Sequence, residues 1–196
     1  MKIGIIGTGR IGSTLGNSWA DAGHEVMFGA RDPQNVKLDL SALIGTFNDA
    51  VDFAEVVVFA IPGSVMIDTA KSFDLGGKLV IDCTNGGGSP EKTGVQQLAE
   101  NHPSARVFKA FNTLGFENFA QPNFDGTPAD MLFIGDEAKK QVAAQLISDA
   151  GLRPVYVGDL SNHDILDLKM RLWFRLSQRF GRHTAFSILT DTTDLI

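Results

Sequence analysis

The chain begins with a short apolar run that leads directly into three glycines at fixed spacing. Residues 2–6 are KIGII, and Gly7-x-Gly9-x-x-Gly12 follows. In this spacing the first glycine allows a sharp turn, the second lets a phosphate approach the backbone, and the third lets the next helix lie close to the sheet. The pattern predicts a strand, a phosphate-binding turn and a helix over Ile11–Ala22. A dinucleotide site is therefore expected, with a glycine-rich turn that binds no ligand as the alternative.

The end of the second predicted strand, His24–Phe28, bears on which dinucleotide binds. Units that bind NAD usually place Asp or Glu there, to accept hydrogen bonds from the ribose 2′-hydroxyl. Here Ala30 is followed by Arg31, whose guanidinium suits the 2′-phosphate of NADP(H). NADP(H) is therefore expected over NAD(H). The alternative is that Asp32 contacts the ribose and Arg31 is an ordinary exposed arginine.

Composition limits the chain to one compact unit and disfavours several kinds of partner. With 196 residues, 43% of them hydrophobic, the sequence supports one core and at most a small appendage. A net charge of −6 disfavours nucleic acid, and no apolar stretch approaches the ~20 residues needed to cross a bilayer. No residue spacing indicates a metal site. We expect a cytoplasmic protein without nucleic-acid or membrane partners.

Apolar strand-like runs alternate with helical segments along the rest of the chain. Further strands are predicted at Glu55–Ile61, Lys78–Thr84, Arg106–Phe111, Asp130–Ile134 and Arg153–Val157, and helices at Val65–Phe73, Glu91–Asn101 and Glu137–Ala150. This alternation predicts an α/β fold of the Rossmann type, a doubly wound and mostly parallel sheet with helices on both faces. The segment Gly115–Pro128 is expected to be irregular. The predicted division is an NADP-binding domain over 1–160 and a C-terminal helical extension over 161–196 in the same compact unit.

Three clusters of turn-forming residues follow predicted strands, where sheets of this kind bind ligands. Ala60, Ile61 and Pro62 follow one strand, Asn85 opens an Asn-Gly-Gly-Gly turn after the next, and Asn112 follows a third. Pro62 could present apolar backbone to a nicotinamide or adenosine ring. The Asn112 amide offers a donor and an acceptor to a carboxamide. Ordinary turn chemistry would explain each cluster equally well.

Side chains suited to covalent or acid–base catalysis are scarce. Cys83 ends an apolar strand and is expected to be an inert buried thiol. None of the histidines belongs to a nucleophile pattern; they are His24, His102, His163 and His183. This scarcity fits hydride transfer, in which the cofactor performs the chemistry and the protein supplies alignment. No catalytic side chain is predicted beyond Asn112 as an orienting residue.

The sequence resembles the NADPH-dependent oxidoreductases of the deazaflavin coenzyme F420, their bacterial relatives and the nucleotide-binding domain of the STEAP metalloreductases. The matching segments are GTGRIGSTLG, FGARDP, IGDEAKKQVAAQLISDAGLRPVYVGDLSN at 134–162 and LWFRLSQRFGRHTAFSIL at 172–189. The resemblance implies contacts with the pyrophosphate and 2′-phosphate from Thr8, Gly9, Arg10, Ile11 and Arg31. It also implies that the nicotinamide lies among Ile61, Pro62 and Asn112.

One segment departs from the deazaflavin-dependent pattern. Those enzymes carry a His-Thr-Ile-Pro-type sequence where this chain has FNTLGF at 111–116, which looks more like the STEAP-type and unassigned bacterial relatives. The resemblance implies hydride transfer between NADPH and a flavin-like or deazaflavin acceptor. The alternatives are an NADP(H) sensor without turnover, or a reductase of a small carbonyl or imine whose electrophile is oriented by Asn112 or Lys169.

Apolar residues cover well over half of the predicted C-terminal helix. They are Ile165, Leu166, Leu168, Met170, Leu172, Trp173, Phe174, Leu176 and Phe180, and the polar stripe consists of Arg171, Arg175, Gln178 and Arg179. Such a helix is expected to be buried on more than one side. We predict that it packs on its own sheet and against a second subunit, which gives a homodimer. A membrane-surface helix is the alternative.

Overall fold

The computed structural model describes residues 1–38, 42–89, 92–192 and 195–196. The strands are β1 (Lys2–Ile6), β2 (Glu25–Gly29), β3 (Leu43–Gly45), β4 (Val56–Phe59), β5 (Leu79–Asp82), β6 (Arg106–Lys109), β7 (Asn123–Phe124), β8 (Thr127–Pro128), β9 (Asp130–Gly135) and β10 (Arg153–Tyr156). The α-helices are α1 (Arg10–Asp21), α2 (Phe47–Phe53), α3 (Gly63–Ala70), α4 (Gly94–Asn101), α5 (Glu117–Ala120), α6 (Lys140–Asp149) and α7 (His163–Phe180). Short 3₁₀ turns cover Pro33–Asn35, Glu137–Lys139 and Leu160–Asn162.

Eight strands form one sheet in the order β10-β9-β6-β5-β4-β1-β2-β3. The described strand pairs of this sheet are parallel, except that β6 and β9 are antiparallel. The chain leaves β1 toward β2 on one side and later returns to β4 on the other, so the strand order reverses beside β1. A crevice at the carboxyl ends of β1 and β4 is where sheets of this class bind ligands. The predicted Rossmann-type α/β fold is confirmed.

Helices cover both faces of the sheet, because its central strands are apolar on both sides. On one face Leu15 and Trp19 of α1 and Ile147 of α6 belong to one buried cluster. On the other face Ala50 of α2 and Met66 of α3 belong to a second cluster. Each helix is therefore held by burial of its apolar side, the main source of helix stability in proteins.

Several elements differ from the sequence-based prediction. The short strand β3 and the helix α2 were not predicted; α2 is fixed at its start by a capping box between Thr46 and Asp49. Helix α4 begins at Gly94, and Glu91, where the predicted helix started, lies outside the described residues. The segment expected to be irregular contains α5 and the β7–β8 hairpin.

The C-terminal helix α7 is buried on one side and exposed on the other. Leu166 packs with strand residues of β9 and β10, and Trp173 joins the main core. Ile165, Leu168 and Leu172 are 40%, 63% and 50% exposed. Within one chain the helix is therefore not buried on more than one side.

The segment after α7 returns to the edge of the sheet. The Asp130 N–H donates to the Phe186 carbonyl at 2.9 Å, and the Tyr156 N–H donates to the Leu195 carbonyl at 2.8 Å. This return attaches the residues after α7 to β9 and β10. In the described part of the chain no helix has both the length and the apolar character needed to cross a membrane.

Candidate dinucleotide site

The three glycines of the N-terminal loop lie in different surroundings. Gly7 has a φ of +116°, and a Cβ atom there would lie 2.6 Å from the Ala60 carbonyl oxygen. A Cβ atom on Gly12 would lie 2.5 Å from the Gly7 carbonyl oxygen. Gly9 has an ordinary φ of −74°, and among the described residues nothing lies within 4 Å of a Cβ atom built on it. The fold therefore requires glycine at positions 7 and 12, whereas the space beside Gly9 is open.

The open space beside Gly9 adjoins the N-terminus of α1. Gly9 is the N-cap residue, has no side chain to bond the first N–H groups, and is followed by a first turn without acidic residues. Unpaired N–H groups and the positive end of the helix dipole attract an anion at such a position. Thr8 and Ile11, both partly buried, flank this point. A pyrophosphate group fits the loop on these grounds.

A cleft of about 390 Å³ lies at the end of β2, and Arg31 lines it together with Ala30 and Phe47. The Arg31 side chain is exposed and makes no ion pair or hydrogen bond with any described residue. Asp32, the alternative ribose ligand, accepts a hydrogen bond from the Asn35 side chain at 2.6 Å. The arginine is thus available to a ligand, while the aspartate is engaged in its own turn.

The turns after β4, β5 and β6 meet at the carboxyl edge of the sheet. A Cβ atom on Gly63 would lie 2.4 Å from the Asn85 carbonyl oxygen, so the first two turns are in contact. The Asn85 side-chain amide donates to the Asn112 carbonyl at 3.1 Å. Ala60 and Ile61 are partly buried and Pro62 is exposed. The three clusters expected from the sequence therefore lie side by side.

Asn112 is held inside this edge rather than on its surface. It is 2% exposed, and its amide nitrogen donates to the Asn85 side-chain oxygen at 3.4 Å. Its own side-chain oxygen is buried without a hydrogen-bond partner among the described residues. An unpaired buried acceptor is costly in a folded protein. Asn112 thus carries an unused acceptor at the position expected for an orienting residue.

The residue before Asn112 has an unusual backbone conformation that the sequence did not reveal. Phe111 has a φ of 61°, which is uncommon for an aromatic residue. Its N–H donates to the Met131 sulfur at 3.2 Å, and its ring makes edge contacts with Trp19 and Phe119, each with centroids 5.8 Å apart. Core packing holds this strained turn in place. It sets the direction in which the chain leaves β6.

The chain after Asn112 reaches the glycine loop. The Arg10 guanidinium lies 5.2 Å from the centre of the Phe116 ring, a cation–π arrangement. The neighbouring Glu117 carboxylate pairs with Arg182 at 2.6 Å. Partial burial acts to raise the pKa of Glu117, but the hydrogen bond from Arg182 and the charges of Arg182 and Arg10 lower it overall. Arg10, an expected phosphate ligand, is therefore placed against this segment.

A buried ion pair at the ends of β5 and β6 was also not predicted. Lys109 donates to the Asp82 carboxylate at 2.9 Å and to the Thr84 carbonyl at 2.8 Å. Cys83 lies between Asp82 and Thr84 in the sequence. Burial and the Asp82 charge raise the pKa of its thiol, so the thiol stays protonated. Among the described residues, no group of three or more His, Cys, Asp or Glu side chains is arranged to hold a metal ion.

Comparisons with known proteins show what the chain that forms this site resembles. Residues 2–86 match the family model described as NADP oxidoreductase, coenzyme F420-dependent. The chain is 27% identical over 172 residues to the metalloreductase STEAP3 of Rattus norvegicus, with 82% of the chain and 34% of that protein covered. It thus spans about a third of the length of this curated relative.

Solved structures extend the likeness to nearly the whole chain. A structure from Arthrobacter sp. FB24, described as a candidate F420-dependent NADP-reductase, superposes with a TM-score of 0.82 at 26% identity, covering 97% of this chain and all of that one. A reductive aminase from Aspergillus terreus in complex with NADPH superposes with a TM-score of 0.69 at 20% identity, covering 90% of this chain and 62% of that one. At this identity the likeness supports the fold alone. The N-terminal part of the chain thus matches the model of the coenzyme F420-dependent NADP oxidoreductases, and nearly the whole chain is similar in fold to a structure described in the same terms.

Proposed function

We propose that this chain transfers hydride between NADPH and a flavin-like or deazaflavin acceptor. The observation that carries the choice of cofactor is Arg31, which is exposed in a cleft at the end of β2 and unpaired within the described residues. A guanidinium there suits a 2′-phosphate. The reaction type is supported by the family described above, whose members are NADP-dependent oxidoreductases.

The residues expected from the sequence would hold an extended dinucleotide along the carboxyl edge of the sheet. The cofactor-binding set proposed here is Gly7, Thr8, Gly9, Arg10, Ile11, Gly12, Ala30, Arg31, Ala60, Ile61, Pro62, Asn85 and Asn112. The glycine loop and the start of α1 would bind the pyrophosphate, and Ile61 and Pro62 would pack against the nicotinamide. That ring, when bound, supplies the hydride. The protein contributes proximity and exclusion of water.

The acceptor class follows from the family rather than from a single side chain. The family and the Arthrobacter structure are both described in terms of coenzyme F420, which supports a deazaflavin. The FNTLGF segment at 111–116 departs from the deazaflavin-dependent pattern noted above and supports a flavin. We therefore propose a planar tricyclic ring as the acceptor, stacked on the nicotinamide.

We further propose that two copies pair through α7. Ile165, Leu168 and Leu172 lie three and four residues apart on one side of the helix, and all three are exposed in the single chain. An apolar stripe of this kind marks a protein interface. The cytoplasmic location stays a prediction from the sequence. So does the division of the chain into an NADP-binding domain over 1–160 and a helical extension over 161–196.

Stopped-flow oxidation of NADPH with coenzyme F420, FMN and FAD as separate acceptors tests the reaction. We expect rapid loss of NADPH absorbance with at least one of the three. Micromolar NADPH binding without turnover on any of them would contradict the proposal and favour an NADP(H) sensor. A small imine and a small ketone, run in parallel, would detect the carbonyl or imine reductase.

Arg31→Ala tests the 2′-phosphate contact, and Asp32→Ala is its matched control. Loss of a charge-assisted hydrogen bond costs about 1.5 to 3 kcal/mol, so Arg31→Ala should raise the Kd for NADPH about 10- to 150-fold and leave the Kd for NADH nearly unchanged. Asp32→Ala should affect neither cofactor strongly. Equal losses for NADPH and NADH in Arg31→Ala, measured by fluorescence titration, would contradict the assignment.

A further inference from the structure

A lysine of the C-terminal helix lies against the turn that carries Asn112. The Lys169 ammonium donates to the Thr113 hydroxyl at 3.1 Å and to the Asp130 carbonyl at 3.4 Å. The Phe186 ring lies over it, with the ring centre 5.0 Å away. Since Thr113 directly follows Asn112, the lysine stands beside the carboxyl edge where the acceptor is proposed to stack.

Among the residues that the structure describes, no carboxylate forms an ion pair with this ammonium. The charge of Asp130 acts on it, but the two Asp130 carboxylate oxygens accept hydrogen bonds from Arg153 at 2.6 and 2.9 Å. The Ile188 N–H also donates to this carboxylate. Asp130 and Arg153 are thus paired with each other, and Lys169 is bonded to neutral oxygens. A partly buried cation held in this way gives up a proton more readily than one in an ion pair.

Other protonatable groups around this edge are less suited to give a proton to a ligand. In the described part of the chain Lys109 is committed to Asp82 and the Thr84 carbonyl, and the Cys83 thiol is buried. The Tyr156 hydroxyl donates to the Gly135 carbonyl at 2.9 Å. His163 lines a pocket of about 120 Å³ next to Lys109 and is the competing candidate.

We propose that the Lys169 ammonium donates the proton that the acceptor needs when it takes up hydride. This inference rests on the proposed function. A flavin or deazaflavin gains a hydride at one ring atom and a proton at a nitrogen, so NADPH, acceptor and one proton give NADP⁺ and reduced acceptor. Lys169 loses one N–H proton in that step, becomes a neutral amine, and is protonated again by solvent.

The acidity of Lys169 is consistent with this role. Desolvation lowers its pKa from 10.5 to about 8, although the Asp130 charge acts in the opposite direction. The ammonium form therefore predominates below pH 8 and is lost above it. A donor with a pKa near the working pH is the most effective general acid.

Single-turnover stopped-flow from pH 6 to 10, with whichever acceptor supports turnover, tests the proposal. In the wild-type protein the rate constant should fall tenfold per pH unit above about 8, the pKa of Lys169. Lys169→Met should lower the rate about 100-fold or more at pH 7 and abolish this decline. Lys169→Arg keeps the positive charge, but its guanidinium does not lose a proton in this pH range, so the rate constant should be low at every pH. His163→Gln should keep the wild-type profile.

The opposite results overturn the proposal. One is a wild-type rate and pH profile in Lys169→Met. Another is a wild-type rate in Lys169→Arg, which would indicate that only the charge matters. The third is a His163→Gln variant whose rate no longer falls above about pH 8. Thermal melts and NADPH titrations of each variant show that folding and cofactor binding are retained. Lys169→Gln replaces the methionine variant if the latter does not fold.

A second measurement does not depend on turnover. Lysines labelled by reductive ¹³C-methylation are followed by NMR, and Lys169→Arg identifies the Lys169 signal. We expect that signal to titrate near pH 8 and to move when NADP⁺ is added. Failure of every acceptor to react would refute the proposed function, and the NMR result would then decide the inference. The inference is refuted if Lys169 cannot be methylated or if its signal titrates above pH 10. It is also refuted if the signal does not move when NADP⁺ is added.

Discussion

Gly9 separates the requirements of the fold from those of a ligand. A side chain on Gly12 would meet the Gly7 carbonyl oxygen at 2.5 Å, whereas one on Gly9 meets no described atom within 4 Å. Because Gly9 also has an ordinary backbone conformation, the folded chain itself does not require glycine there. The phosphate proposed at the α1 N-terminus would give a physical reason for its presence.

Gly9→Ala and Gly12→Ala should therefore have different effects. Gly9→Ala is expected to change the free energy of unfolding by less than about 1 kcal/mol and to weaken NADPH binding at least tenfold, because its methyl group enters the phosphate space. Gly12→Ala should lower the free energy of unfolding by about 1 to 3 kcal/mol. Urea unfolding and NADPH titration of both variants measure this. Full NADPH affinity in Gly9→Ala would place the pyrophosphate elsewhere.

At the scale of elements, the sequence predicted those parts whose signal is local. Strands β1, β4, β5 and β9 are mostly apolar, and buried parallel strands have this pattern. Strand β3 has only three residues and α2 only seven, too few for a periodic pattern to stand out. The antiparallel pairing of β9 with β6 is set by tertiary packing and had no sequence signal.

In the candidate site, too, the sequence predicted the parts whose signal is local. The glycine loop and Arg31 lie within one βαβ unit, so their spacing in sequence predicted their proximity. Lys169 reaches Thr113 across 56 residues, and the strained Phe111 looks like any other strand-end aromatic. Contacts of that kind depend on how α7 and the loop after β6 pack, which neither propensity nor periodicity encodes.

Trp173 should be the main anchor of α7. It is buried, its indole N–H donates to the Thr184 carbonyl at 2.7 Å, and a side chain on Gly115 would collide with its ring. Trp173→Ala is expected to lower the free energy of unfolding by about 3 to 5 kcal/mol. The control Phe180→Ala, at a position 63% exposed, should cost less than about 1 kcal/mol.

Chemical denaturation with fluorescence and circular dichroism measures both variants. A single transition in Trp173→Ala, shifted to lower denaturant, would show that α7 and the sheet unfold together. Two separate transitions in the wild-type protein would instead make the helical extension an independent unit, and Trp173 would then stabilise only that unit.

At the scale of the whole molecule, the described residues leave an apolar stripe of α7 exposed. Leu166 and Trp173 face the sheet, and Ile165, Leu168 and Leu172 face outward. In the part of the segment after α7 that the structure describes, backbone hydrogen bonds join Phe186 to β9 and Leu195 to β10. A second copy placed across the helix would bury the stripe, and helix pairs of this kind gain stability from apolar area removed from water.

Sedimentation velocity should therefore give a mass twice the 21.1 kDa of one chain. Leu168→Glu places a charge in the centre of the stripe and should return the protein to the mass of one chain, with little effect on the fold, because this side chain is already 63% exposed. Leu189→Glu, at a position 91% exposed and outside the helix, is the control and should remain dimeric. A wild-type protein with the mass of one chain at all concentrations would refute the dimer. Dissociation by Leu189→Glu as well would place the contact on the C-terminal segment rather than on α7.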